Sequence, residues 1–262
     1  MSTHNAPDRF LDHEGARLRW RLEGTGPAIA LLHGWALDLD YWDPLAAQLA
    51  PRFTLLRFDR CGFGLSAGVP EIHRNVDDLR ALLDVAGIDR PILLGMSQGA
   101  RLAIHFALEH PARVRALVLD GAPVLEAEPD LPLTQYRNLL DTQGLAALQA
   151  GIRLHPLMQL QTSEPSAHRL LAHIVARYAG LDLLQPASRR ARPPRLGIIA
   201  APTLILNGAR DSTARREAGR KLQAEIPGAA RAELPCAGHL ALLDDPAGYV
   251  QAISAFCGPL PP

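Results

Sequence analysis

Cysteine is scarce. Cys61, Cys236 and Cys257 are odd in number and widely spaced along 262 residues. That pattern supports neither a disulfide framework nor a zinc site. Lysine is rarer still: Lys221 stands alone, arginine supplies the other basic side chains, and we attach no function to the bias. No excess of one charge exists either, with 27 basic against 27 acidic residues. A balanced chain gives no reason to expect nucleic acid as a partner. No apolar run approaches the length of about 20 residues that spans a bilayer. Residues 1–21 are polar and charged, without the apolar stretch of a signal peptide. These absences lead us to expect a reduced, cytoplasmic setting and neither a membrane nor a nucleic-acid partner. Internal repeats and low-complexity tracts are also missing.

What is present is ordinary in amount, with 48% of residues apolar and 21% charged. Its order is more informative. Phe10-Leu11 and Leu18-Arg19-Trp20-Arg21-Leu22 flank His13-Glu14-Gly15 and read as an opening β-hairpin. Ala28-Ile29-Ala30-Leu31-Leu32 is short and continuously apolar, as suits a strand buried on both faces of a parallel sheet. A helix is expected over 40–49, a strand over 53–58, and a helix over 76–85. The run Arg90-Pro91-Ile92-Leu93-Leu94 predicts a further strand, followed by a helix over 98–108. Residues 114–119 predict another strand. Alternating strands and helices argue for an α/β fold with a mostly parallel sheet of about eight strands, covered by helices on both faces.

The pattern then changes. From 124 to 195 no strand is expected, and prolines 129, 132, 156, 165 and 186 punctuate a stretch rich in Leu, Gln and His. It reads as an inserted segment of three to five short helices. The strand and helix pattern resumes at 202–206, 214–225, 230–234 and 246–256. The expected organisation is a core of residues 1–123 and 196–262, with 124–195 inserted as a helical cap.

Between the third and fourth of these predicted helix-flanked strands lies the turn that organises the chain. Gly95-Met96-Ser97-Gln98-Gly99 joins a strand to a helix. A serine thrown forward on so sharp a turn needs an unusual backbone, and strand and helix then pass close together, so the flanking positions must be small. Two more reactive groups lie just beyond strand ends: Asp211 in Asn207-Gly208-Ala209-Arg210-Asp211, and His239 in Ala237-Gly238-His239. In open α/β sheets that edge is where sites form.

Five motifs together carry a resemblance: His33-Gly34-Trp35, the loop from Asp59 to Ser66, the Ser97 pentapeptide, the Asp211 segment and the His239 segment. Their order and placement resemble an α/β-hydrolase of the esterase and lactonase type, over nearly the whole chain except the insertion. Cys61 stands where relatives often have Arg or Gly, and Ala100 where many have a second Gly; neither departure removes a reacting group. The resemblance implies a nucleophile, Ser97; a base, His239; and an acid, Asp211, that holds the imidazole in the right tautomer. It also implies an oxyanion hole from the backbone N–H groups of Gln98 and Trp35, each contributing roughly 3–4 kcal/mol at the transition state. No cofactor and no metal are required. The expected substrate is a small carboxylic ester or lactone, cleaved through an acyl-enzyme.

Several alternatives stay open. Asp120, also at a strand end, rivals Asp211 as the acid, and Asp211 could instead cap the helix that follows it. The same triad serves C–C bond hydrolysis, cofactor-free perhydrolysis, or a hydrolase-fold receptor with little turnover. His33, Leu131, Tyr136, Leu157 and Met158 are candidates to contact substrate, with packing of the insertion as the competing role. His33 and Gly34 are further expected to shape their turn. Gly62-Phe63-Gly64 imitates a dinucleotide fingerprint, but Pro70 follows and the next helix starts too late to face a pyrophosphate. His105 and His110, like His168 and His173, lie five apart and share no helical face for a metal. Arg189, Arg190, Arg192 and Arg195 read as a solvated linker.

Overall fold

A computed structural model describes residues 6–123, 131–185 and 194–260. Strands β1 (Arg9–His13) and β2 (Ala16–Glu23) form the opening hairpin. They are followed by β3 (Ala28–Leu32), a 3-10 turn over Leu39–Trp42, helix α1 (Asp43–Leu49) and β4 (Thr54–Phe58). Next come α2 (Ile72–Val85), β5 (Ile92–Met96), α3 (Gln98–Glu109) and β6 (Ala116–Asp120). The described residues form an eight-stranded sheet ordered β1-β2-β4-β3-β5-β6 and then β7 (Thr203–Gly208) and β8 (Ala230–Leu234). The first three strands in that order pair antiparallel, and every pair from β4 onward is parallel. The expected α/β class and mostly parallel sheet are therefore found.

Strand β3 is apolar throughout, and β5 nearly so, because both of their faces are covered. Ile29, Leu31, Leu94 and Val118 point into one apolar cluster. Their neighbours Ala30, Leu32, Leu93 and Leu117 point into the other. The first cluster is closed by α1 and by α8 (Pro246–Cys257), through Leu45, Leu49, Tyr249 and Ile253. The second is closed by α2, α3 and α6 (Thr213–Glu225), through Leu79, Leu82, Phe106 and Leu222. Side chains that alternate between two buried clusters are what a strand period of two produces in a three-layer sandwich.

Between β6 and β7 the described residues hold α4 (Leu133–Leu154), α5 (Pro165–Arg177) and short 3-10 turns. The span of α4 is two helices joined across a kink, where Gly144 takes φ +82°, so short helices fill this part of the described residues. Helix α2 starts before the expected position 76. The expectation rested on Val76, Leu79, Leu82 and Leu83 at helical spacing, and all four are buried. A four-residue helix, α7 (Ala241–Asp244), was too short to show periodicity. Pro129, Pro186, Arg189, Arg190 and Arg192 lie outside the described residues, as do residues 124–130 at the expected start of the insertion. Among the described residues, no helix is long and apolar enough to cross a membrane.

Candidate active site

The elbow turn is built by its glycines. Ser97 sits between β5 and α3 at φ +54°, ψ −115°, a left-handed region that costs a residue with a side chain about 1–3 kcal/mol. A Cβ on Gly95 would run into the backbone of Gly99, and one on Gly99 into the carbonyl of Leu32. Strand β5, helix α3 and the end of β3 therefore approach as closely as bare backbone allows. The Ser97 N–H donates to the Asp120 carbonyl at 2.8 Å, which ties the turn to β6.

Asp211 and His239, 28 positions apart, meet in space. His239 Nδ1 lies 2.9 Å from Asp211 Oδ2, with both side chains almost fully buried. The capping alternative for Asp211 is resolved by its neighbour. Ser212 is the residue that caps α6, its Oγ accepting from the Arg215 N–H. Asp211 Oδ1 accepts from the Ser212 N–H at 2.7 Å, and Oδ2 is left to the imidazole. Asp120 turns elsewhere. It is fully buried at the end of β6 and accepts from the Tyr249 hydroxyl at 3.0 Å. Burial, and to a lesser degree the charge of Asp211, push its carboxyl well above the usual range. Gly121, the next residue, leaves room for the imidazole: a Cβ there would stand 3.0 Å from His239 Cε1.

Ser97 and His239 share the wall of one narrow pocket with Trp35, Leu37 and Met96. Leu131, Leu157 and Met158 complete the wall from the segment between β6 and β7. Tyr136 and His33 do not line it. Tyr136 packs behind Trp35, ring centroids 5.3 Å apart. His33 is wholly buried, with Nδ1 2.8 Å from the Gly34 carbonyl and Nε2 accepting from the Arg60 N–H at 2.9 Å. Burial, reinforced by the Arg60 charge, holds its imidazole well below the usual range and therefore neutral. It shapes the turn from within. Gln98 opens α3, where the first N–H groups have no partner inside the helix. Among the described residues, no group of three or more His, Cys, Asp or Glu could hold a metal ion.

The turn after β3 is held from above. Trp35 Nε1 donates to Asp182 Oδ2 at 2.9 Å, and the Tyr178 hydroxyl donates to Asp182 Oδ1 at 2.6 Å. Arg177 reaches Asp38 Oδ2 at 2.5 Å and Asp40 Oδ2 at 2.6 Å. Arg60 holds the same turn from below, donating to the Gly34 carbonyl at 3.0 Å and to Gln98 Oε1 at 3.2 Å. None of these links has a local sequence signature, because their partners lie up to 147 positions apart.

One of them makes stability depend on pH. Burial and the nearby Asp59 push the Asp38 carboxyl from 3.8 up to about 7, against the pull of Arg177. An acid whose folded pKa is raised contributes stability at low pH and loses it as pH climbs between the unfolded and folded values. The wild-type melting temperature is therefore expected to fall relative to Asp38→Asn as pH rises from about 4 to about 7. Parallel melting curves for the two proteins across that window would contradict this.

Sequence reading missed Arg215. This α6 side chain is buried, and its Nη1 donates to the Gly121 carbonyl at 2.8 Å and to Ser97 Oγ at 3.2 Å. Nothing in Thr213-Ala214-Arg215-Arg216 distinguishes it from Arg216, whose Nε instead donates to the Asp211 carbonyl.

A family profile described as alpha/beta hydrolase fold matches residues 27–168, more than half of the chain. The chain belongs to that family and is a hydrolase. It is 28% identical over 258 residues to a pimeloyl-[acyl-carrier protein] methyl ester esterase of Pectobacterium atrosepticum, covering 92% of this chain and 98% of that one. An esterase of the same description from Chromobacterium violaceum is 29% identical over 248 residues, covering 88% and 94%. Among solved structures, a hydrolase from Pseudomonas aeruginosa superposes with a TM-score of 0.81 at 29% identity, covering 96% of this chain and 98% of that one.

Proposed function

We propose that this hydrolase cleaves a small carboxylic ester or lactone through an acyl-enzyme on Ser97. The observation that carries the reading is the convergence of a strained serine and a carboxylate-bound imidazole on one pocket wall. Asp211 occupies Nδ1 of His239, so Nε2 is the nitrogen that takes the serine proton. Oγ bonds to the carbonyl carbon while the carbonyl electron pair moves to oxygen, where the N–H groups of Trp35 and Gln98 receive the charge. The alcohol leaves with the proton from His239. Water then gives its proton to His239, attacks the acyl carbon and releases the acid.

In this reading residues 124–195 act as a cap. Leu131, Leu157 and Met158 give the pocket an apolar roof that excludes water. The Asp182 and Arg177 links hold that roof to the turn carrying the Trp35 N–H. The methyl ester esterases among the relatives favour an ester with a small alcohol.

Trp35, Leu131, Leu157 and Met158 put bulky side chains on the wall of this narrow pocket, which favours short acyl chains. Steady-state hydrolysis of p-nitrophenyl acetate, butyrate and octanoate tests this. The acetate and butyrate should turn over at least about tenfold faster than the octanoate, whose acyl chain is about four methylenes longer than that of the butyrate. Failure to hydrolyse all three esters and γ-butyrolactone would sink the proposal.

A further inference from the structure

We infer that Arg215 is a further catalytic residue, a fixed cation that holds the Ser97 hydroxyl by its oxygen and stabilises that oxygen as it gains charge. The inference rests on the reading of Ser97 as nucleophile and deepens it.

A guanidinium has only donors, so in the 3.2 Å contact Ser97 Oγ must be the acceptor. That fixes the direction of the hydroxyl. Its own proton cannot point at Arg215 and turns toward another acceptor, and the His239 imidazole shares the same pocket wall. The guanidinium is itself anchored, since the same Nη1 donates to the Gly121 carbonyl at 2.8 Å. Gly121 in turn donates its N–H to the Leu206 carbonyl at 3.0 Å and lies against His239 and Asp211. One backbone residue thus sets the position of Arg215 relative to the imidazole and the carboxylate. Arg215 is not part of the pocket wall, so its partner in the reaction is the serine oxygen and not the substrate.

The chemistry uses this contact twice. In acylation the Oγ–H proton passes to His239 as the Oγ–C bond forms, and Oγ carries negative charge in between. In deacylation the Oγ–C bond breaks, its electron pair returns to Oγ, and His239 gives the proton back. A hydrogen bond from a cation to an oxygen strengthens as that oxygen gains charge, so it stabilises both transition states more than the resting hydroxyl. Arginine stays protonated throughout and takes no proton from either step.

The test is the second-order rate at which a fluorophosphonate inactivates wild type, Arg215→Lys and Arg215→Gln, with melting curves to measure the folded fraction. That reagent bonds to Oγ and is not hydrolysed, so it reports the nucleophile alone. Arg215→Gln is expected to react roughly 10- to 100-fold more slowly per folded molecule, and Arg215→Lys to recover part of the loss. For p-nitrophenyl acetate, kcat should fall in parallel, with KM within about twofold. An arginine that only packs α6 would lower the melting temperature and leave the rate per folded molecule unchanged, and that result overturns the inference. If neither variant folds, the structure of fluorophosphonate-labelled wild type decides. Arg215 Nη1 still bonded to Oγ upholds the inference, and Arg215 turned away from it overturns it. Wild type that takes no label on Ser97 would overturn the assignment of the nucleophile itself, a different failure from equal rates on labelled proteins.

Discussion

Ser97→Ala is expected to lose ester hydrolysis by on the order of 10⁴–10⁶-fold while melting close to the wild type. The size follows from what the hydroxyl does in the proposed mechanism. Without Oγ no acyl-enzyme forms, and the pocket is left with only its oxyanion donors and its ability to hold substrate. The near-constant stability follows from the elbow. Alanine carries the same Cβ as serine, so the cost of φ +54° is unchanged. The buried Arg215 guanidinium loses one acceptor but keeps the Gly121 carbonyl. Steady-state rates on p-nitrophenyl acetate check the first part and thermal unfolding checks the second. Wild-type turnover in a folded Ser97→Ala protein would mean that another group attacks the ester.

Asp211→Asn is expected to cost on the order of 10⁴ in kcat. An amide at position 211 can present N–H to His239 Nδ1, which fixes the imidazole with its proton on the wrong nitrogen. It also removes the negative charge that stabilises the imidazolium formed in the transition state. The control is Asp120→Asn. Asp120 bonds to Tyr249 and is held above the usual carboxylate range by burial, so asparagine there leaves the Asp211 contact with His239 in place. Its activity should stay within about threefold of wild type, a change under one kcal/mol. The reverse outcome, with Asp211→Asn active and Asp120→Asn inactive, would move the acid to Asp120.

The core of the fold was legible because its strands obey simple rules. Ala28 to Leu32 and Ile92 to Met96 are apolar at every position except Gly95, which only a strand covered on both faces tolerates. The candidate site was legible for a related reason. Ser97, Asp211 and His239 each follow a strand directly or within a few residues, and parallel strands deliver their ends to a single edge. The segment between β6 and β7 was less legible. Prolines mark where helices cannot continue, but nothing in Asp141-Thr142-Gln143-Gly144 signals that the helix bends there and resumes. Pocket lining could not be separated from packing, because nothing in the residues around Tyr136 or Leu157 tells which of the two reaches the wall. Arg215 was invisible for a deeper reason. Its importance comes from Ser97, 118 positions away, and not from its neighbours in sequence.

The account stands on Ser97 as the nucleophile, and the most direct measurement is peptide mapping by mass spectrometry after fluorophosphonate labelling of the folded protein. The account predicts one phosphonyl group on the peptide that carries Ser97, no label on that peptide in Ser97→Ala, and none after the wild type is unfolded before exposure. A label on another residue, with ester hydrolysis lost in step, would contradict it.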